Sequence, residues 1–81
     1  MARILLSSNL KPFTGGTTEV EIDAANVRQL FQALETRFPA LKPYLDAELM
    51  VAIDGEIYQD SWFQPIAGDS EVHVLPKIAG G

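Results

Sequence analysis

One segment of this chain combines helical periodicity with a one-sided apolar stripe, and this combination limits the folds open to it. Apolar side chains recur at spacings of three and four between Val27 and Phe38, as they do along one face of an α-helix. Asn26 is a suitable N-cap, and Pro39 ends the helix because its ring cannot occupy a helix interior. The stripe must be buried, so the helix has to lie on another element, and a sheet is the expected surface.

The remaining apolar runs are short and are typical of strands. Residues 3–10 predict a first strand, and residues 18–22 alternate polar and apolar side chains with period two as a second strand. Residues 49–53 and 71–75 predict two longer strands, and residues 56–58 predict a short one. We therefore expect four or five strands and one helix.

The connecting segments have turn or loop composition. Asp54 and Gly55 predict a tight turn, because glycine readily adopts positive φ and aspartate tolerates it. Residues 41–45 predict an irregular turn with apolar anchors, and residues 59–70 predict a compact loop packed by its own aromatic side chains, including Trp62 and Phe63. We expect Phe31, Phe38, Trp62 and Phe63 to serve as core or loop anchors rather than as ligand-binding groups.

The order strand, strand, helix, strand, short strand, strand predicts an α+β fold with a mixed sheet covered on one face by a single helix. A ferredoxin-like sheet would need a second full helix, and the candidate segment is short and interrupted by Pro65. A β-grasp needs only one helix and fits. With 81 residues there is room for one domain, which we expect over residues 1–75, with a flexible tail over residues 76–81.

Composition excludes several kinds of site. The chain has no cysteine, so it has no thiol nucleophile and no cysteine-ligated metal. His73 is the only histidine and has no second metal ligand at a useful spacing, so we expect no bound metal. The net charge is −5 with scattered basic residues, which argues against nucleic acid and favours docking on a basic protein face. No segment approaches the ~20 apolar residues of a membrane span, so we expect a cytoplasmic protein.

Strand parity predicts that the two faces of the sheet differ, because successive strand residues point to opposite sides. The residues expected to face the helix are Ile4, Leu6, Val51, Ile53, Val72 and Val74. The opposite face would then carry an apolar patch made of Leu5, Met50, Ala52 and Leu75. Contiguous exposed patches mark interaction sites, so we interpret these four residues as partner-binding.

Three segments carry a family resemblance: residues 51–56 read VAIDGE, residues 66–72 read IAGDSEV, and residues 75–81 read LPKIAGG. They resemble the strand and Asp-Gly turn, the Gly-Asp turn into a strand, and the terminal Gly-Gly of the MoaD and ThiS group of ubiquitin-like sulfur carriers. The resemblance spans the chain. Within this group, the length of the chain is closest to that of the small subunits of molybdopterin synthase.

The resemblance implies that the chain acts through its C-terminus. Gly81, preceded by Gly80, would be adenylated by an E1-like enzyme and converted into a thiocarboxylate that donates sulfur, most simply to a partner such as the large subunit of molybdopterin synthase. The rest of the tail would contact these partners, through Pro76, Lys77, Ile78 and Ala79. The chain has no glycine-rich phosphate loop, so it would bind no cofactor, the activating enzyme would use the ATP, and the chain itself would not be an enzyme.

Other functions remain open at this point. A carrier for thiamine, cysteine or another metabolite would use the same chemistry. A protein modifier would join Gly81 to lysines through an isopeptide bond. A plain interaction module would make no use of the two glycines, whose chance occurrence as a pair is on the order of half a percent at an average glycine frequency of about 7%.

Overall fold

The computed structural model of the chain describes residues 1–47, 49–59 and 61–76. Its strands are β1 (Ala2–Leu6), β2 (Glu19–Ile22), β3 (Leu49–Ile53), β4 (Glu56–Tyr58) and β5 (Glu71–Pro76). Its helices are α1 (Lys11–Thr14), α2 (Val27–Arg37) and α3 (Lys42–Ala47). Short 3-10 turns at Ser8–Leu10 and Pro39–Leu41 lead into α1 and α3.

The five strands form one mixed sheet in the order β2-β1-β5-β3-β4. β1 and β2 pair as an antiparallel hairpin, and β1 also runs parallel to β5 at the centre of the sheet. β3 pairs antiparallel with both β5 and β4. This order, with α2 between the second and third strands, is that of a β-grasp fold, so the α+β prediction is confirmed.

The core lies between the sheet and α2, as the sequence pattern predicts. From α2, the buried side chains are Val27, Leu30, Phe31 and Leu34. From β1, β3 and β5, they are Ala2, Ile4, Leu6, Leu49, Val51, Ile53, Val72 and Val74. Each of the six residues expected to face the helix is among them, so the strand parity is confirmed.

The N-terminus of α2 is fixed by two sets of acceptors, because the first amides of a helix have no partner within it. The Asn26 side chain accepts a hydrogen bond from the amide of Gln29 at 2.9 Å, as an N-cap should. The amides of Val27 and Arg28 donate to the carbonyls of Gln64 and Trp62 at 3.1 and 2.8 Å. The loop that contains Trp62 is thereby attached to the start of α2.

The segment after β1 differs from the prediction. β1 ends at Leu6 rather than continuing to residue 10, because Ser7 begins a 3-10 turn in which its hydroxyl accepts from the amide of Asn9 at 3.4 Å. The turn directs Leu10 into the core, where it is almost fully buried. An apolar residue that the sequence pattern assigns to a strand therefore contributes to the core from a helical turn.

Prolines begin helices at two places where turns or loops were predicted. Pro12 and Pro43 lie at the second positions of α1 and α3, where a helix residue has no intrahelical acceptor for its amide, so the missing N–H of proline carries no penalty. The predicted irregular turn at residues 41–45 is therefore the end of a 3-10 turn followed by α3. Both helices are short, and α2 remains the only long helix over the sheet in the described residues.

The loop after β4 is not packed by its own aromatics, and this part of the prediction is wrong. Trp62 packs edge-on against Phe31 of α2, with ring centroids 5.4 Å apart. Phe63 is 72% exposed and anchors nothing in the described structure. The loop is instead held by backbone hydrogen bonds to the start of α2, and the amide of Ile66 donates to the carbonyl of Ala25 at 2.9 Å.

No helix in the described parts of the chain has both the length and the apolar character needed to cross a membrane.

Candidate functional site

The sheet face opposite α2 collects the four residues that the sequence predicts as partner-binding. Leu5 and Leu75 lie on the central strands, and Met50 and Ala52 lie on β3. All four are half-buried, which leaves part of each side chain available to a second molecule. We call this surface, with the residues added below, the open face.

Strand register shows how these residues come together. Leu5 is opposite His73, and His73 is in turn opposite Ala52, so these three form one row across β1, β5 and β3. Met50 is opposite Leu75 and forms a second row beside it. Paired residues in neighbouring strands share a face, so the four predicted residues make one continuous surface.

Two residues of the open face were not among the predicted site residues. His73 lies at the centre of the first row, although the sequence identified it only as a lone histidine. Ile57 extends that row because it is opposite Ala52, and it is 60% exposed. Nearby, Nε2 of the Gln59 side chain donates to the sulfur of Met50 at 3.5 Å. The apolar alternation of β4 is too short to assign its face, so only the pairing with β3 identifies Ile57.

Charged residues border the open face on the β2 side. The guanidinium Nε of Arg3 donates to Oε2 of Glu19 at 2.8 Å, and its Nη2 donates to Oε1 at 3.2 Å. The hydrogen bond from Arg3 lowers the pKa of Glu19, and the same bond raises the pKa of Arg3. Glu21 is opposite Arg3 in the hairpin, so this border carries more negative than positive charge.

Glu71 connects this border to the apolar rows. Its Oε2 lies 3.7 Å from Nη1 of Arg3, and its Oε1 lies 3.1 Å from Nε2 of His73. All of these groups are substantially exposed, so water screens the pairs and their effect on stability is small. Their main effect is to orient the side chains of Arg3, Glu71 and His73 along one edge of the open face.

Asp54 joins the β3–β4 turn to the beginning of β5. Its backbone has φ of 49°, and its carboxylate accepts from the amide of Glu71 at 3.0 Å and from the hydroxyl of Ser70 at 2.8 Å. The hydrogen bond from the Glu71 amide, followed by that from Ser70, lowers the pKa of Asp54. This carboxylate therefore has a structural role, as expected from its position in a turn.

The carboxylate of Glu56, the first residue of β4, is also engaged. The phenol of Tyr58 donates to Oε2 of Glu56 at 2.8 Å, and this bond raises the pKa of Tyr58. The side chains of Asp54 and Glu56 thus have separate partners instead of forming an acid/base pair. Within residues 1–47, 49–59 and 61–76, no group of three or more His, Asp or Glu side chains converges as a metal site.

The predicted tail is only partly described. Pro76 is the last residue of β5 and is opposite Leu49. The other predicted tail residues, Lys77, Ile78, Ala79, Gly80 and Gly81, lie outside the described residues.

The sheet order, the covering helix and the open face define a protein of the ubiquitin-like β-grasp class. The sequence profile of the ThiS family matches residues 4–81, and this chain belongs to the ThiS family. Its members are small ubiquitin-like sulfur carriers that work with E1-like enzymes and acceptor enzymes. No curated protein sequence matches the chain significantly.

Solved structures of this class superimpose over nearly the whole chain. The Amycolatopsis orientalis BexX/CysO complex contains a chain with a TM-score of 0.82 and 21% identity, covering 100% of both chains. Small archaeal modifier protein 1 from Methanosarcina acetivorans gives a TM-score of 0.79 at 21% identity, with 99% of this chain and 95% of that chain covered. A Pyrococcus furiosus protein provisionally described as molybdopterin converting factor, subunit 1, gives 0.78 at 22% identity, with 95% and 97% covered.

Proposed function

We propose that this chain is a cytoplasmic sulfur carrier whose C-terminal glycine, Gly81, is adenylated by an E1-like enzyme and converted into a thiocarboxylate. The thiocarboxylate donates its sulfur in molybdopterin synthesis. Partner enzymes supply the nucleotide site and the catalytic groups, and this chain supplies the reacting terminus and the surface on which the partners dock.

The observation that carries this proposal is the position of the open face relative to the end of β5. β5 lies between β1 and β3, and it contributes His73 and Leu75 to the centre of the open face. Five residues, 77–81, follow Pro76, and an extended chain of that length spans at most about 18 Å. A partner that covers the open face can therefore accommodate the terminus in a cavity at the edge of the same interface.

The chemistry begins with activation of a carboxylate, which is a poor electrophile. An oxygen of the Gly81 carboxylate attacks the α-phosphorus of ATP, and pyrophosphate leaves, giving an acyl-adenylate. The terminal sulfur of a donor persulfide then attacks the carbonyl carbon, and AMP leaves. A thiol of the sulfur-donating system cleaves the resulting acyl disulfide, which releases the thiocarboxylate and a new disulfide. Glycine at residues 80 and 81 suits this passage because no side chain obstructs a narrow channel.

The choice of molybdopterin synthesis has two supports. The chain is close in length to the small subunits of molybdopterin synthase, and the Pyrococcus furiosus protein, whose description names a molybdopterin converting factor, shares the fold over 97% of its own length. Carriers for thiamine, cysteine or another metabolite would use the same open face and terminus. The acceptor enzyme therefore decides between these pathways.

Intact mass spectrometry of the chain purified from its native host tests the carrier chemistry. We expect a fraction of the protein to show one oxygen replaced by sulfur, located on the C-terminal peptide. A variant that lacks Gly81 is the control, because it keeps all of the described residues, up to Pro76, and should show no such species. Absence of the sulfur-containing species from the wild-type chain, under conditions in which the sulfur donor is active, would contradict the proposal.

A protein modifier is the second candidate, and the likeness to small archaeal modifier protein 1 supports it. In that case the activated carbonyl of Gly81 is attacked by a lysine amine rather than by sulfur. Higher-mass conjugates that carry an isopeptide bond to Gly81 would then appear in the same native preparation. The two candidates are distinguished because a conjugate has the added mass of its target and an amide at Gly81, whereas a carrier has one sulfur in place of a carboxyl oxygen and no added protein.

Reconstitution identifies the acceptor. The thiocarboxylated chain is mixed with the molybdopterin synthase large subunit and its pterin precursor, or with a thiazole-forming or cysteine-forming acceptor enzyme. Molybdopterin should form at a rate that depends on the concentration of the carrier. Sulfur transfer to another acceptor alone would retain the carrier chemistry but overturn the molybdopterin assignment.

A further inference from the structure

A second surface lies on the opposite side of the molecule from the open face. It is an apolar groove of about 340 Å³ between α2, α3 and the loop after β4. Its lining residues are Arg28, Phe31, Gln32, Glu35, Leu45, Trp62 and Phe63. The proposed carrier function makes no use of this groove, because α2 and the open face lie on opposite sides of the sheet.

Aromatic side chains give the groove its apolar character. Trp62 is 37% exposed although one edge packs on Phe31, and Phe63 is 72% exposed beside it. The backbone position of the loop is fixed, since the carbonyl of Trp62 accepts from the amide of Arg28 at 2.8 Å. Both residues line the groove, and a contiguous apolar surface of this kind marks an interaction site.

The polar residues of the groove are arranged so that the surface is complementary to itself. Arg28, Gln32 and Glu35 are four and three residues apart along α2, a spacing that places them on one side of a helix. The positive group lies near the N-terminal end and the negative group roughly 10 Å further along, at 1.5 Å per residue. A two-fold axis passing beside Gln32, perpendicular to α2, would bring Arg28 of each copy against Glu35 of the other.

We propose that the groove binds a second copy of this chain, with the two α2 helices antiparallel. A two-fold contact uses the same patch on both subunits, and here it forms the Arg28–Glu35 pair twice. In the free chain the carboxylate of Glu35 lies 3.5 Å from Nζ of Lys42, with both side chains exposed; water screens such a pair, so Glu35 can exchange it for Arg28 of the second copy at little cost. Phe63 of each copy covers the Leu45 end of the other copy's groove.

This dimer is compatible with every partner that uses the open face. The two open faces point away from the helix contact, so each copy keeps its own docking surface. The groove is lined by seven residues, far fewer than the roughly 20–30 on each side of a standard interface, and interfaces at the low end of the size range are weak and transient. We therefore expect a dissociation constant of roughly 10 to 1,000 μM, and the inference is independent of what the C-terminus does.

Sedimentation equilibrium of the full chain between micromolar and millimolar concentrations tests the proposal. The wild-type chain should pass from monomer to dimer over this range, and Phe63→Ser should raise the dissociation constant about tenfold, since it removes an aromatic side chain that the contact would bury. Ile57→Ser is the matched control, because Ile57 is similarly exposed but lies on the open face. It should leave the dissociation constant unchanged.

Charge reversal tests the antiparallel arrangement itself. Arg28→Glu alone and Glu35→Lys alone should each weaken association, whereas an equimolar mixture of the two variants should form a heterodimer in which both contacts are attractive. Arg37→Glu, an equivalent charge change elsewhere on α2, should have no effect. A wild-type chain that stays monomeric at millimolar concentration, a dimer that is lost with Ile57→Ser but kept with Phe63→Ser, or a mixture that does not associate would each overturn the proposal.

Discussion

Two neighbouring residues of β5 should differ in their effects on folding and on docking. Val74 is fully buried against α2, whereas Leu75 is half-buried on the open face. Val74→Ala removes two methyl groups, at about 0.8 kcal/mol each, and leaves a cavity. We expect it to lower the free energy of unfolding by about 2.5 kcal/mol, out of roughly 4–12 kcal/mol for a chain of this length.

Leu75→Ala should act on both folding and docking. It removes about 2.4 kcal/mol of transfer free energy from a fully buried leucine, and the larger part of that is already realised in the free protein, because less than half of Leu75 is exposed. The fold should therefore lose about 1.5–2 kcal/mol. The remaining ~0.5–1 kcal/mol is available to a partner that covers the open face, so its affinity should fall about 2- to 5-fold.

Urea denaturation measures the first quantity, and calorimetric titration with the E1-like enzyme of the same host measures the second. Val74→Ala should also lower the thermal midpoint by roughly 10–20 °C while leaving the affinity within about twofold of wild type. If Val74→Ala reduces affinity more than Leu75→Ala does, the faces of β5 are assigned wrongly. If Leu75→Ala leaves affinity unchanged, the open face is not the docking surface.

Three further predictions concern stability. Asn26→Ala removes the N-cap of α2 and should lower the free energy of unfolding by about 1 kcal/mol, measured by urea denaturation. Gly55→Ala places a side chain at φ of 91° and should lower it by about 1–2 kcal/mol, whereas Gly68→Ala, which meets open space, should change it by less. The lowered pKa of Asp54 means that its contribution to stability is complete above the unfolded pKa of about 3.9 and is lost as pH falls through the folded pKa. Urea midpoints of Asp54→Asn should therefore fall less between pH 7 and pH 2 than those of the wild-type chain, and an equal fall in both proteins would refute this role.

Local signals account for the elements that the sequence predicts well. The stripe from Val27, the cap at Asn26 and the stop at Pro39 lie within one helix and its flanks, so no distant contact is needed to interpret them. The Asp54-Gly55 turn is similarly local, and it appears where expected, with positive φ at both residues.

The errors arose where one local pattern suits two structures. Proline is common both in loops and in the first turn of a helix, so Pro12 and Pro43 did not reveal α1 and α3. Leu10 can be buried from either a strand or a 3-10 turn, so its apolar character did not distinguish the two. Phe63 is apolar but exposed; the apolar character of a loop residue does not by itself decide whether it is buried.

The alternation of side chains between the two faces of a strand is a local property. The sequence by itself therefore distinguishes the residues that face the helix from Leu5, Met50, Ala52 and Leu75. Their assembly into one surface is a tertiary result. It depends on the parallel pairing of β1 with β5, which joins residues nearly seventy positions apart in the chain, such as Leu5 and His73. It also depends on the pairing of β3 with β4, which adds Ile57. Backbone hydrogen bonding permits many strand orders, and burial of the α2 stripe against this sheet selects the one observed.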